Sequence, residues 1–315
     1  MREHTTYDFH TFDNPADPTF NNLLGINNKG LIAGFYGSGA PGHPNQGYLL
    51  TTSDSFTSGT FHSVQFPGAA QTQLTGLNDK GITVGYFYTT NNGVQFDNQF
   101  GFFEKHGVFT EVNNPHTPTQ PNPGVLIENQ LLGVNDHDIA VGFYNDASGN
   151  SHGYTYNLHT GKFSADINDP LAVSTVTAAI NNKGEIAGFY TDSAGVTHGF
   201  VEDHFVFKTV DAPGATQTEL LGVNDQGIAV GEDIVNGVMH GLIFDAKTDT
   251  FTTLDDPNAV GATTLNGIND KGDIVGFYTD AAGNTDGLLA VPDNDKSVDD
   301  MHHHATQFSG WALDV

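Results

Sequence analysis

The sequence has no cysteine, a single arginine and no long run of apolar residues. Without cysteine, the chain can form neither a disulfide nor a thiolate zinc site. No stretch approaches the roughly 18 consecutive apolar residues that a membrane-spanning helix requires, so no membrane span is expected. The N-terminus lacks the apolar core of a signal peptide, and the sequence as it stands predicts a soluble chain.

Positive charge is also scarce. The sequence has 37 acidic residues against 10 basic ones, and its formal net charge is −27. Such a chain repels nucleic acid. Because a guanidinium is the group that most often holds a phosphate or a sugar carboxylate, and Arg2 is the only arginine, nucleotide and polyuronate substrates are disfavoured. Divalent cations, cationic ligands and neutral glycans stay open as partners, and no organic cofactor is expected.

Glycine and aromatic residues are abundant. The chain contains 38 Gly, 13 Pro, 23 Phe and 10 Tyr, which together indicate many short strands separated by turns. A motif Gly-apolar-Asn-(Asn/Asp)-x-Gly recurs, with two variant copies, at intervals of about 40 to 60 residues, the size of a propeller blade. Its copies span residues 25–30, 76–81, 133–138, 179–184, 222–227 and 267–272.

Three further strand patterns follow each motif. An apolar-x-Gly-aromatic strand comes first, then an x-Gly-aromatic or x-Gly-Leu strand, then a strand that ends near a proline. The sixth copy stops near Leu289 without its fourth strand, whereas residues 9–15 have the fourth-strand pattern and belong to no other copy. Because closure removes open sheet edges, we expect an all-β, six-bladed β-propeller of four-stranded antiparallel blades, closed by an N-terminal strand that completes the last blade.

The domain boundaries follow from the repeat. Residues 1–292 are expected to form one propeller, and residues 293–315 a tail that packs on it through Phe308 and Trp311. The tail segment Met301–His304 is unlike anything upstream, and its histidines are either an artificial addition or a weak transition-metal site. The blade cores are expected near residues 20–67, 72–115, 129–170, 175–213, 217–257 and 262–291, with 7–15 added to the last.

These residues resemble the bacterial HAF repeat family, named for a His-Ala-Phe-like triplet at the position of His198-Gly199-Phe200. The likeness covers about residues 7–291. Members of the family are mostly exported or surface-associated bacterial proteins, so the resemblance implies a secreted or cell-surface protein. It supplies no catalytic residues.

Propellers usually bind ligands at one mouth of the central channel, among the loops between the second and third strands and the crossings between blades. Asp and Asn side chains recur in both loop sets, and such oxygen ligands suit Ca²⁺. The alternative is that they cap turns. Three metal candidates lie in the crossings: Asp13, Asp211 and Asp255. The ligand-binding candidates lie in the strand loops: Tyr144, Asp146, Tyr190, Asp192, Tyr278 and Asp280.

Three histidines occupy equivalent positions in consecutive blades. His152, His198 and His240 suggest a three-histidine metal site, but the repeat separates each from the next by a full blade. We therefore expect each imidazole to bond a neighbouring strand or turn.

One copy departs from the template. Glu232 and Asp233 stand where the other copies have an aromatic pair, and in a strand they point to opposite faces. With His240 they are the catalytic candidates, as metal ligands or a general base. The alternative is a locally shortened strand with solvated carboxylates. Two insertions beyond blade length, at 37–44 and 115–129, are typical of binding loops.

The sequence therefore predicts a binding or scaffold propeller. Its acidic, aromatic-rich loops would hold a neutral glycan, a small molecule or a protein partner, with Ca²⁺ as a possible aid. The alternative is a metal-assisted hydrolase or lyase with an Asp/Glu/His site at the channel mouth, which rests on analogy of fold alone.

Overall fold

The computed structural model describes residues 5–89, 98–120 and 122–293. These residues form 24 strands in six four-stranded antiparallel sheets, arranged as a six-bladed β-propeller, and no helix. The predicted fold class is confirmed. The described residues hold no helix that could span a membrane. The expectations for Met301–His304, Phe308 and Trp311 lie outside the described residues.

The strands follow one another in chain order within each blade. Blade 1 contains β2 (Asn21–Ile26), β3 (Ile32–Tyr36), β4 (Gln46–Thr52) and β5 (Gly59–Ser63). Blade 2 contains β6 (Gln71–Leu77), β7 (Ile82–Tyr88), β8 (Gln99–Lys105) and β9 (Val108–Val112). Blade 3 contains β10 (Asn129–Val134), β11 (Ile139–Asn145), β12 (Ser151–Asn157) and β13 (Lys162–Phe163).

The second half of the ring repeats this order, except that its last blade takes a strand from the N-terminus. Blade 4 contains β14 (Ala172–Ile180), β15 (Ile186–Asp192), β16 (Thr197–Asp203) and β17 (Val206–Val210). Blade 5 contains β18 (Gln217–Val223), β19 (Ile228–Val235), β20 (Val238–Asp245) and β21 (Thr250–Thr253). Blade 6 contains β22 (Thr263–Ile268), β23 (Ile274–Thr279), β24 (Thr285–Pro292) and β1 (Tyr7–Thr11).

Strand β1 closes the ring. It pairs antiparallel with β24, from Tyr7 opposite Pro292 to Thr11 opposite Leu288. The backbone N–H of Phe12 then donates to the carbonyl of Gly287 at 2.9 Å. The outer edge of β24 is thus paired like that of every other third strand, as the incomplete sixth copy predicted.

The strand directions give the disc two different faces. The turns of the Gly-apolar-Asn motif and the hairpins between third and fourth strands lie on one face, which we call the turn face. The loops between second and third strands and the crossings from blade to blade lie on the other, which we call the mouth face. All the loop candidates named from the sequence belong to the mouth face.

A closed ring of side-chain hydrogen bonds explains the motif asparagine. The amide of Asn27 donates to the carbonyl of Asn78 at 3.1 Å, while its Oδ1 accepts the backbone N–H groups of Lys29 and Leu31. The same inter-blade bond recurs around the channel until Asn269 donates to the carbonyl of Asn27 at 3.2 Å. Each asparagine therefore caps its own turn and joins the next blade.

The first glycine of the motif allows the inner strands to approach one another. A Cβ on Gly25 would lie 3.0 Å from the Cα of Gly76 in the next blade, and one on Gly267 would lie 3.1 Å from the Cα of Gly25. A β-bulge precedes each of these positions, for example between Leu23 and Gly25. Backbone packing around the axis leaves the side chains to fill the space between blades.

The core lies between adjacent blades. Inner strands contribute a leucine at one repeated position, and third strands contribute an aromatic residue or leucine. Burial of such side chains stabilises each interface by about 1.5–3 kcal/mol per residue. The fully buried examples are Leu23, Leu74, Leu131, Leu220, Leu265, Tyr48, Phe102, Tyr154, Phe200 and Leu288.

Candidate functional site

The mouth face carries acidic side chains without basic partners other than histidine. Among the described residues, no lysine or arginine lies at this face, and the nearest is Lys208 in the middle of β17. The remaining described lysines lie at the turn face: Lys29, Lys80, Lys105, Lys162, Lys183, Lys247 and Lys271. The charge of the disc is therefore polarised, and its mouth favours neutral or cationic ligands.

The three tyrosines predicted to bind a ligand are buried within their own blades. The hydroxyl of Tyr144 donates to Oδ2 of Asp166 at 3.0 Å. The hydroxyl of Tyr190 lies 3.2 Å from Oγ1 of Thr209, and Tyr278 makes the equivalent contact with Thr11. These bonds tie the second strand to the outer strand in blades 4 and 6, and to the segment after the outer strand in blade 3. The structure thus gives the tyrosines a structural role, and ligand binding by them stays a prediction.

The aspartates of the same loops cap hairpins. Oδ1 of Asp192 accepts the backbone N–H groups of Ala194 and Val196 at 2.8 and 2.9 Å, and Asp146 and Asp280 make the same pair of bonds. These backbone hydrogen bonds hold the pKa of Asp192 and of Asp280 below the usual value. The arrangement matches the turn-capping alternative.

The histidines of the third strands bridge parts of their own blades. Nδ1 of His198 lies 2.8 Å from Oδ1 of Asp211, and Nδ1 of His240 lies 2.7 Å from Oδ2 of Asp255. His152 contacts the amide of Asn168 at 3.0 Å in the same way. The expectation that each imidazole bonds a neighbouring turn is confirmed. Two of the metal candidates, Asp211 and Asp255, are thus partners of histidines in different blades.

Blade 6 lacks this histidine. Asp286 takes its place, opposite Tyr278, and the third metal candidate Asp13 accepts the N–H of Gly287 at 3.0 Å. Burial is the main cause that raises the pKa of Asp13 to about 6, and the charges of Asp286 and Asp280 add to it. The N–H of Gly287 acts in the opposite direction. Blade 6 therefore has two carboxylates, Asp13 and Asp286, where blades 4 and 5 each have an aspartate and a histidine.

No group of three or more His, Cys, Asp or Glu side chains within the described part of the chain is arranged to hold a metal ion. Calcium binding stays a prediction. So does the alternative of a metal-assisted hydrolase or lyase.

Blade 5 places its two adjacent carboxylates on opposite faces of β19. This strand runs from Ile228 to Val235, so the alternative of a locally shortened strand is wrong. Glu232 lies opposite Glu219 on β18, and its Oε2 accepts the hydroxyl of Thr264 in blade 6 at 2.6 Å. Burial, reinforced by the charge of Glu232, raises the pKa of Glu219 to about 7.

Asp233 faces the other way and lies opposite His240 on β20. The structure therefore brings two of the three catalytic candidates together, with Asp255 as a third member, and separates Glu232 from them. Burial raises the pKa of Asp233, His240 lowers it, and Asp255 raises it again. Oδ1 of Asp233 is buried and has no hydrogen-bond partner.

A cleft between blades 1 and 2 at the mouth was not predicted from the sequence, and we call it the amide cleft. It encloses about 160 Å³. Blade 1 contributes two rings and part of the 37–44 insertion, and blade 2 contributes amides and a tyrosine. Its lining consists of Phe20, Phe35, Ser38, Gly39, Asn45, Gln71, Gln73 and Tyr88.

Hydrogen bonds between the two blades fix the amides of this cleft. Oε1 of Gln71 accepts the N–H of Asn45 at 3.0 Å, and the amide of Gln73 donates to Oδ1 of Asn45 at 2.9 Å. The rings of Phe20 and Phe35 lie 6.2 Å apart. None of the described residues that line the cleft carries a charge, and together they present apolar ring surface and uncharged hydrogen-bonding groups. The insertion at 37–44 was the signal in the sequence that pointed to this place.

Comparisons with known proteins bear on the fold. No protein-family model matches the chain, and no curated protein matches it. Among solved structures, AofleA from Arthrobotrys oligospora matches with a TM-score of 0.55 at 11% identity, over 90% of this chain and 86% of that one. The Aleuria aurantia lectin, in complex with Fucα1-6GlcNAc, matches with a TM-score of 0.53 at 10% identity, over 87% and 96%.

An enzyme is also among these neighbours. The Trypanosoma rangeli sialidase matches with a TM-score of 0.52 at 7% identity, over 92% of this chain and 60% of that one. At such low identities the likeness shows a shared propeller fold. A lectin and a sialidase are both among these matches, so the shared fold does not indicate a function.

Proposed function

We propose that this protein is a carbohydrate-binding propeller that holds a neutral glycan at its mouth, in the amide cleft. The observation that supports this most is the composition of the cleft, where the rings of Phe20 and Phe35 lie beside the amides of Asn45 and Gln71. Sugars present apolar C–H faces and many hydroxyl groups. Aromatic rings pack against the first, and amides both donate to and accept from the second.

The size of the cleft suits one sugar unit. Its volume of about 160 Å³ lies below the roughly 300–1,000 Å³ of pockets that enclose drug-sized ligands. A single ring would therefore enter, with the rest of a glycan lying across the mouth. The 37–44 insertion forms one wall, and a long loop on a rigid scaffold is a common place for recognition.

Electrostatics supports a neutral sugar over an acidic one. The mouth face has no lysine or arginine among the described residues, and the net charge is −27. A sugar carboxylate would meet repulsion without a guanidinium to pair with. The Aleuria aurantia lectin adds support by analogy, since its structure is a complex with Fucα1-6GlcNAc.

A glycan array followed by calorimetric titration of the best neutral oligosaccharide tests the proposal. We expect Gln71→Ala and Phe20→Ala each to weaken binding about tenfold, which corresponds to about 1.4 kcal/mol. Gln217→Ala is the matched control, because Gln217 begins the inner strand of blade 5 as Gln71 begins that of blade 2. Unchanged affinity in both cleft variants, or no glycan binding by the unmodified protein, would contradict the proposal.

A further inference from the structure

We propose that blade 5 provides a second sugar subsite, which selects a protonated amino sugar where three other blades bury a tyrosine. The subsite consists of Asp233, His240 and Asp255 with Thr253 on the outer strand. This inference rests on the proposed glycan binding and adds an amino-sugar subsite in blade 5 to the neutral-sugar site in the amide cleft.

The tyrosine position is defined by strand register. In blade 4, Tyr190 lies opposite His198, and its hydroxyl contacts Thr209 on the outer strand. In blade 5 the residue opposite the histidine is Asp233. Thr253 pairs with Leu242 as Thr209 pairs with Phe200, and it is exposed. An aromatic ring and its hydroxyl are thus replaced by a shorter carboxylate, while the threonine of the outer strand is kept.

The carboxylate of Asp233 is only partly compensated in the described structure, by the nearby His240. The residue is 6% exposed, and its Oδ1 makes no hydrogen bond. A buried charge without a partner is costly, and in natural proteins such a group calls for an explanation by a ligand, an ion or water. Because no described group of side chains is arranged around a metal ion, a ligand that brings its own N–H donors fits better.

The histidine of blade 5 is also less engaged than its counterparts. In blades 3 and 4, Nε2 of His152 and His198 lies 3.5 and 3.6 Å from a hairpin aspartate. The β19–β20 hairpin of blade 5 is instead the tight turn Asn236-Gly237, with positive φ at both residues. Asp255 contacts Nδ1 of His240, whose side chain is more exposed than those of His152 and His198.

These groups match an amino sugar. An ammonium carries positive charge and three donors, which suit the unpartnered oxygen of Asp233 and the negative charge of Asp255. The neighbouring hydroxyls of the sugar find an imidazole in His240 and a hydroxyl in Thr253. Asp233 itself is buried, but the side chains of His240 and Asp255 are 30% and 38% exposed, so a ligand can contact this group from solvent. A neutral sugar would supply hydrogen bonds without the countercharge.

Calorimetric titration with the tetramer of β-1,4-linked glucosamine and with its fully N-acetylated counterpart tests the inference. The unmodified protein should bind the amino form at least tenfold more tightly. Asp233→Asn and the template-restoring Asp233→Tyr should abolish that preference. Asp211→Asn removes the same charge at the cognate histidine of blade 4 and should leave the preference intact.

Three results would overturn the inference. The first is equal binding of the two tetramers by the unmodified protein. The second is a preference for the amino form that survives Asp233→Asn. The third is a preference that Asp211→Asn or added salt removes as fully as Asp233→Asn does, which would indicate only the diffuse charge of the chain. Equal binding of both tetramers would leave the proposed neutral-sugar site in the amide cleft standing, because the acetylated tetramer would still bind. Failure of both tetramers and of every neutral glycan would contradict the proposed function as well. Melting curves of the variants establish that each is folded.

Discussion

Blades 4 and 5 are built on the same template but differ at the mouth. Both have the motif asparagine, the buried aromatic or leucine after His-Gly, and the same antiparallel order. In blade 4, the mouth end of the second strand carries Phe189 and Tyr190. In blade 5 it carries Glu232 and Asp233.

The two blades differ in how completely their polar side chains find hydrogen-bond or charge partners. In blade 4 the tyrosine is tied to Thr209, and Val176 occupies the inner-strand position that Glu219 holds in blade 5. In blade 5, Glu219 faces Glu232, and Asp233 has an unpartnered oxygen. The requirements of a stable fold explain the residues that the blades share. They do not explain the acidic residues of blade 5, and function is expected at departures that reduce stability.

The largest effect should come from removing an element that every blade needs. Deleting residues 1–16 takes away β1 and the buried Phe12, and leaves the outer edge of β24 unpaired. We expect the melting temperature to fall by roughly 10 °C or more, because several kcal/mol of burial are lost. Deleting residues 1–5 is the control. A melting curve unchanged by the longer deletion would show that closure through β1 does not matter.

Reciprocal exchange between blades 4 and 5 should give the next largest effect. Glu232→Phe with Asp233→Tyr restores the template and should raise the free energy of unfolding by about 2 kcal/mol or more. Phe189→Glu with Tyr190→Asp should lower it by at least as much in blade 4. Denaturant unfolding measures both. Equal and small effects in the two blades would mean that blade 5 has already compensated its acidic pair.

The pH dependence of stability should also distinguish the two blades. The folded-state pKa of Glu219 is raised to about 7, so the folded protein binds its proton more tightly than the unfolded chain. Stability therefore falls as pH rises from about 4.5, the usual value for a glutamate, to about 7. Asp13, with a pKa of about 6, acts in the same direction between about 3.8 and 6.

Glu219→Gln tests the contribution of blade 5. The variant should be more stable than the unmodified protein by on the order of 1–2 kcal/mol above pH 7, with little difference near pH 4.5. Melting temperatures across this range provide the measurement. A difference in stability between the two proteins that widens towards acid pH would contradict the raised pKa of Glu219. The pH dependence caused by Asp13 should remain in the variant.

The smallest effect concerns calcium. If Ca²⁺ binds at ten times its dissociation constant, the folded state gains about 1.4 kcal/mol. Asp13→Asn should remove part of this gain if blade 6 supplies the site, whereas Asp211→Asn should not, because Asp211 is already paired with His198. Thermal shift with NaCl at matched ionic strength is the control. Equal stabilisation by CaCl₂ and NaCl would mean that the salts only screen the negative charge of the chain, and that no calcium site exists.

The fold could be predicted because each copy of the repeat must satisfy the same local requirements. Asn27 and its counterparts cap a turn and join the next blade, and Gly25 allows close approach of inner strands. Both requirements recur at the same position of every copy, so the repeat itself displays them in the sequence. The sixth copy lacks a fourth strand of its own, and β1 was the only strand pattern left to complete it.

The candidate site was predicted only in part. The departure at Glu232 and Asp233 was visible because five other copies supply the expected residues. The tyrosines at 144, 190 and 278 were predicted to face a ligand, but the alternation that buries them depends on tertiary packing. The amide cleft was missed because Gln71 and Asn45 come from different blades, and their contact is set by the angle between blades.

A crystal structure of the protein with a bound oligosaccharide tests the central claim most directly, namely that ligand recognition lies where the mouth departs from the template. We expect a sugar ring in the amide cleft, against Phe20 and Phe35 with hydrogen bonds to Gln71 and Asn45. Density for the sugar at the turn face, or against the regular hairpins that Asp192 and Asp280 cap, would contradict it.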